Sequence, residues 1–137
     1  MMLSINGEKF NSLLTVLRYI YGIVPIVIGL DKFFSCIVDW NMYVSPVVLQ
    51  YLPVFVAAHI LAIVGVVEII AGIIVLNDES TRFGAYLVAA WIGVVIVNLL
   101  TIGGMYDIIL RDVAIAVGYI TLAKLFELKE SSRSNSF

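Results

Sequence analysis

Four apolar stretches, each long enough to cross a bilayer, account for most of this chain of 137 residues. A helix needs about 20 predominantly apolar residues to traverse the hydrocarbon, and the pattern places spans at about 11–33, 54–76, 82–102 and 106–127. Composition agrees: 62% of residues are hydrophobic, 13% are charged and the mean hydropathy is +1.08. Soluble domains of this size do not sustain such values, so the sequence predicts an all-α integral membrane protein.

The connections at 77–81 and 103–105 are short, which makes neighbouring spans antiparallel. The expected architecture is a single up-down four-helix bundle over residues 1–130, followed by a polar, disordered tail at 131–137. The longest connection, 34–53, carries Trp40, Tyr43 and Tyr51, side chains suited to the headgroup level, and Pro46 and Pro53 punctuate it. A short interfacial helix is expected near 45–51, between the first and second spans.

Four spans put both termini on one side, where Lys9, Arg82, Lys129 and Arg133 collect, with Arg18 and Lys124 buried toward it. Only Lys32 and Arg111 fall on the other side, so both termini are expected in the cytoplasm. A cleaved signal peptide is not expected, because the first apolar run carries Arg18 and the first alanine is Ala57.

Several functional classes are disfavoured at once. A net charge of −2, with no basic run interleaved with aromatics, gives no footprint for nucleic acid. The single cysteine, Cys36, cannot form an intrachain disulfide or a redox pair. There is no nucleophile with an adjacent base and no haem, metal or nucleotide signature, which argues against an independent enzyme.

Helical periodicity then groups the polar and small residues. Arg18, Gly22, Pro25, Gly29 and Lys32 share a stripe on the first span, and Gly65, Glu68 and Gly72 share one on the second. The third repeats Gly84, Trp91 and Asn98, and the fourth aligns Asp107, Arg111, Ala114, Gly118 and Thr121. Measured from the span ends, Arg18 and Glu68 lie level, and opposite charges in hydrocarbon are expected to pair. That pair is either a structural tie that fixes register or part of a quinone-headgroup or proton site. Asp31, Lys32, His59, Asn98, Asp107, Arg111 and Asp112 are expected to form an outward-facing polar cluster. Within it, His59 either donates to a backbone carbonyl or carries protons.

Arg18 followed by Gly22 and Gly29, the Gly-x-Asp-Lys-Phe run of Gly29, Asp31, Lys32 and Phe33, then His59, Glu68, Gly72 and Arg82 together resemble the DoxX-like family of small four-helix membrane proteins. The resemblance covers about residues 13–126. It implies a bacterial inner (plasma) membrane protein linked to quinone-dependent or oxidative-stress redox systems, with quinone as the implied cofactor and a redox protein as the implied partner. The Asp107, Leu110, Arg111, Asp112 group looks like a subgroup feature. Three functions remain open: an accessory subunit of a redox system, a lipid- or small-molecule-binding bundle, and a structural protein that self-associates as a homodimer or larger homo-oligomer.

Overall fold

A computed structural model describes residues 7–135. Among them all regular structure is helical. Helix α1 spans Gly7–Phe34, a 3₁₀ turn covers Trp40–Tyr43, and two five-residue helices follow, α2 (Pro46–Gln50) and α3 (Val54–Ala58). The chain continues as α4 (Ile60–Leu76), α5 (Thr81–Ile102) and α6 (Tyr106–Asn135). Two of these, α1 and α5, are long and apolar enough to cross a membrane; α4 is apolar but only 17 residues long.

The second apolar stretch is thus interrupted. His59 ends α3 with φ −117° and ψ 17°, and its N–H turns to the Val56 carbonyl at 3.1 Å. The Phe55 carbonyl, which an unbroken helix would have bonded to that N–H, receives His59 Nδ1 at 2.9 Å instead. Because a carbonyl only accepts, Nδ1 carries the hydrogen. At the other end of the chain, α6 runs on through Asn135, so residues 131–135 are helical where a disordered tail was expected. No glycine or proline follows Gly118 to stop the helix. Ser136 and Phe137, the rest of that tail, lie outside the described residues.

The closest helix contact is between α1 and α4. Gly22 lies against Gly72 and Gly29 against Gly65, with backbone nearly touching backbone: a Cβ at Gly65 would stand 2.7 Å from the Gly29 carbonyl oxygen. Only glycine permits such an approach, and the seven-residue repeat in both helices fixes an antiparallel register. Helices α5 and α6 form a second antiparallel pair, tied by Tyr86 to Glu127 at 2.8 Å and Arg82 to Glu130 at 2.9 Å. Gly84 seats α5 against Val75 of α4. Thr81, fully buried, bonds the Val75 carbonyl at 2.7 Å and closes the α4–α5 turn. Gly103 and Gly104, at φ 80° and 76°, make the tight α5–α6 turn in a region that side chains disfavour.

Close packing is concentrated near the chain termini. Leu14, Ala71, Val75, Val88, Leu122 and Phe126 are buried there, whereas Leu110, Arg111, Val113 and Ala114 of α6 are exposed. Of the small and polar stripe of α6, Gly118 lies against Tyr21. Asp107, Arg111, Ala114 and Thr121 are exposed, and Tyr119, Leu122, Ala123 and Phe126 turn inward. Three large side chains on one arc, Tyr119, Leu122 and Phe126, bury more apolar area than the stripe offers, and that difference sets the rotation of the helix.

Pro25 supplies one further tie. Lacking an N–H, it leaves the Tyr21 carbonyl one turn earlier without its helical donor. The Tyr119 hydroxyl of α6 donates to that carbonyl at 2.8 Å, with the two tyrosine rings edge to face at 4.7 Å.

Two consequences are measurable by unfolding of the purified protein. Gly65→Ala should destabilise by about 1–3 kcal/mol through overpacking, while Gly93→Ala, where the added carbon meets nothing within 4 Å, should cost nothing. Tyr119→Phe should cost about 1–3 kcal/mol by orphaning the Tyr21 carbonyl. The loss should shrink in a Pro25→Ala background, where the helix regains its own donor.

Candidate functional site

The α1–α4 register decides which charges meet. Arg18 lies level with Leu76, eight residues and roughly 12 Å beyond Glu68, and it does not pair with that carboxylate. Glu68 is bound by Lys32, with Nζ 2.7 Å from Oε2. The side chains of the pair are 7% and 15% exposed. Depth reckoned from the span ends is off by eight residues of α4, because the interlocked glycines set the register.

Side-chain direction completes the explanation. In a helix every Cα–Cβ bond leans toward the N-terminus. In an antiparallel pair, Lys32 and Glu68 therefore lean toward each other, while Arg18 leans away from Glu68. Arg18 runs to the end of α4, where it donates through a terminal guanidinium nitrogen to the Leu76 carbonyl. Its Nε lies 3.9 Å from Asp78 Oδ1, which Lys129 of α6 approaches at 3.7 Å. The long arginine stem covers apolar surface while its head reaches a helix C-terminus, where a cation is favoured.

A tryptophan covers the Lys32–Glu68 pair. The Lys32 ammonium stands 3.8 Å from the centre of the Trp40 ring, whose indole N–H donates to Asp31 Oδ2 at 2.7 Å. Asp31 is itself buried and accepts from the backbone N–H groups of Cys36 at 2.8 Å, Ile37 at 2.9 Å and Val38 at 3.2 Å. One carboxylate thus gathers the segment that leaves α1 and holds the indole over its neighbour in sequence. On the other side of Glu68, Trp91 of α5 approaches the carboxylate, and Asp112 of α6 lies within electrostatic reach. The Trp91 indole N–H is buried and makes no hydrogen bond within 3.5 Å, so the Glu68 carboxylate engages it only at longer range.

The seven residues expected to form one outward cluster are divided among separate places. Asp31 organises the exit of α1, and Lys32 joins Glu68. Asn98 accepts from the Ser45 N–H at 3.1 Å and donates to the Tyr43 carbonyl at 2.6 Å, fastening the long connection to α5. Exposed His59 caps Phe55 in the break before α4, outside the Lys32–Glu68 site. Asp107 and Arg111 are exposed on α6, and Asp112 is half-buried. Short polar side chains bond locally to backbone, and that preference outweighed assembly into one cluster.

Several participants were not singled out from sequence. Ser45 is fully buried, caps α2 and accepts from Thr101 Oγ1 at 2.6 Å; a serine before a proline is a helix-start signal, and it does not announce the tie to α5. Trp40 had been placed only at the headgroup level, and nothing in its spacing points to a lid. Among the described residues no three of His, Cys, Asp and Glu gather in a way that could hold a metal ion. Compared with models of protein families, with curated proteins and with solved structures, the chain matches none.

Glu68→Gln should strand the Lys32 ammonium and destabilise the protein by about 3–5 kcal/mol, with much of the loss recovered when Lys32→Met accompanies Glu68→Leu. A double-mutant cycle between Arg18 and Glu68 should show coupling below about 0.5 kcal/mol. Strong coupling there and none with Lys32 would reverse the assignment.

Proposed function

We propose that the protein is a DoxX-like four-helix bundle of a bacterial inner membrane, with both termini cytoplasmic. It serves there as an accessory or ligand-binding subunit of a membrane redox system, quinone-linked or directed at oxidative stress. The observation that carries this reading is convergence. Gly22, Gly29, Lys32, Glu68 and Gly72, which bear the family resemblance, lie along one α1–α4 seam, and Asp31 holds the tryptophan that closes its ion pair. Burial supports the membrane placement. Only 22% and 17% of the apolar windows of α1 and α5 are buried within the protein, whereas the core helix of a soluble protein is buried over most of its length.

The resemblance implies a quinone, and the donor set suits its headgroup. A quinone presents carbonyl acceptors, and the buried Trp91 N–H, near the Glu68 carboxylate, makes no hydrogen bond within 3.5 Å. Such a group supplies two-electron redox capacity when bound. Trp91 would donate to one of its carbonyls, and the Lys32–Glu68 pair would hold charge and a proton nearby. The role is accessory, since the chain offers no activated nucleophile of its own.

A second reading, a lipid- or small-molecule-binding bundle without redox chemistry, is favoured by a shallow cavity of about 280 Å³ between the long connection and the start of α4. Asn41, Val44, Leu49, His59 and Leu61 are among its lining residues.

Native mass spectrometry of the gently solubilised protein separates these readings. A retained quinone that Trp91→Phe releases, or a copurifying soluble oxidoreductase, supports the redox role. Lipid or another small molecule alone supports the second reading. A homo-oligomer carrying neither overturns both and leaves a structural protein.

A further inference from the structure

The segment between α1 and α4 looks at first like an ordinary extramembrane loop, yet its chemistry is that of buried chain. No lysine or arginine occurs between Lys32 and Arg82, and Asp39 is the one charged residue from Phe33 to Ala58. Its outward side chains are large and apolar: Phe34 is 72% exposed, Tyr51 84%, Val54 87% and Phe55 73%. Val27 and Leu30 of α1 are likewise apolar and exposed.

The backbone of the segment is also supplied with partners at many places where water would serve. Asp31 takes three successive N–H groups, Ser45 Oγ takes those of Val47 and Val48, and Asn98 takes the Ser45 N–H and serves the Tyr43 carbonyl. Asp39 takes the Asn41 N–H, and His59 serves the Phe55 carbonyl at the helix break. Irregular backbone survives in hydrocarbon only where its polar groups find partners inside the protein, because each unmet group costs several kcal/mol there.

Helix length points the same way. At 1.5 Å per residue, the 17 residues of α4 span about 25 Å, short of the roughly 30 Å of hydrocarbon. The break at His59 therefore falls inside the hydrocarbon boundary, and α3 and its neighbours complete the crossing.

We infer that residues 35–59 form a membrane-embedded cap whose Tyr51, Val54 and Phe55 face the acyl chains of the outer leaflet, an interaction surface for lipid rather than an aqueous loop. The inference rests on the membrane placement proposed above and goes beyond it. Acyl chains are the fitting occupant because the largest exposed side chains of the segment are apolar, as they are on the exposed side of α1, and Asp39 is the one charge between Phe33 and Ala58; the Tyr51 ring lies among the chains with its hydroxyl toward the headgroup level.

Site-directed spin labelling in phosphatidylcholine vesicles tests it. In a Cys36→Ser background, nitroxides are attached at Tyr51→Cys, Phe55→Cys, Val24→Cys on the exposed middle of α1, and Ser132→Cys on the polar end of α6. Collision rates with oxygen and with a water-soluble nickel chelate are compared. The oxygen-to-nickel ratio at 51 and 55 is expected to exceed that at 132 several-fold and to approach that at 24. Ratios at 51 and 55 equal to that at 132, with 24 still in lipid, would overturn the embedded cap and leave the membrane placement intact. An aqueous ratio at 24 would remove both. Shielding of 55 from both reagents would mean that a protein surface, such as a second copy, covers it, and the lipid assignment would be wrong.

Discussion

Backbone-to-backbone contact between α1 and α4 is the constraint from which the other contacts take their positions. Two glycines on each helix, seven residues apart, let the main chains interlock at Gly22 with Gly72 and Gly29 with Gly65. Sliding by one residue would drive side chains into carbonyl oxygens, so the register is held sterically. Once it is held, Lys32 can reach Glu68 and Arg18 must look elsewhere.

The two buried cations then behave differently for a geometric reason. Both leave α1 on the α4 side and both lean toward the α1 N-terminus, but Glu68 sits between their levels and leans the other way. Lys32 meets it, and Arg18 is carried to the α4 C-terminus, where Asp78 and carbonyl oxygens wait. A buried ion pair adds little net stability on its own, since desolvation offsets attraction. Here the pair also has a tryptophan face over the ammonium, and that face is held by the carboxylate next in sequence.

Much of the helical framework was legible in the sequence. Spans expected at 11–33 and 82–102 sit within or nearly coincide with α1 and α5, the two short connections fall where expected, and the small helix near 45–51 is α2 at Pro46–Gln50. Apolar periodicity and turn residues are local signals, which is why they could be read. The glycine faces were legible too, but their register was not, because the depth of a residue was taken from approximate span ends while contact geometry is fixed to a fraction of a residue. The break at His59 and the division of the polar cluster depend on which backbone groups lack partners, and composition does not reveal that. Pro25 also carries a legible signal: a proline inside a helix leaves an orphan carbonyl four residues earlier, here that of Tyr21, and Tyr119 supplies its donor from the far end of the chain.

That proline has a consequence for how the molecule holds together as a whole. The helices form two leaves, α1 with α4 and α5 with α6, joined along a spine at the turn from Asn77 to Ser80. Arg18 and Lys129, both drawn to Asp78, bind the leaves close to that spine. Further from it, the Tyr119 hydroxyl on the Tyr21 carbonyl acts as a clasp between the free edges, and it exists because Pro25 left the carbonyl vacant. A residue usually regarded as a helix breaker thus becomes the fastening that keeps the first and last helices from swinging apart.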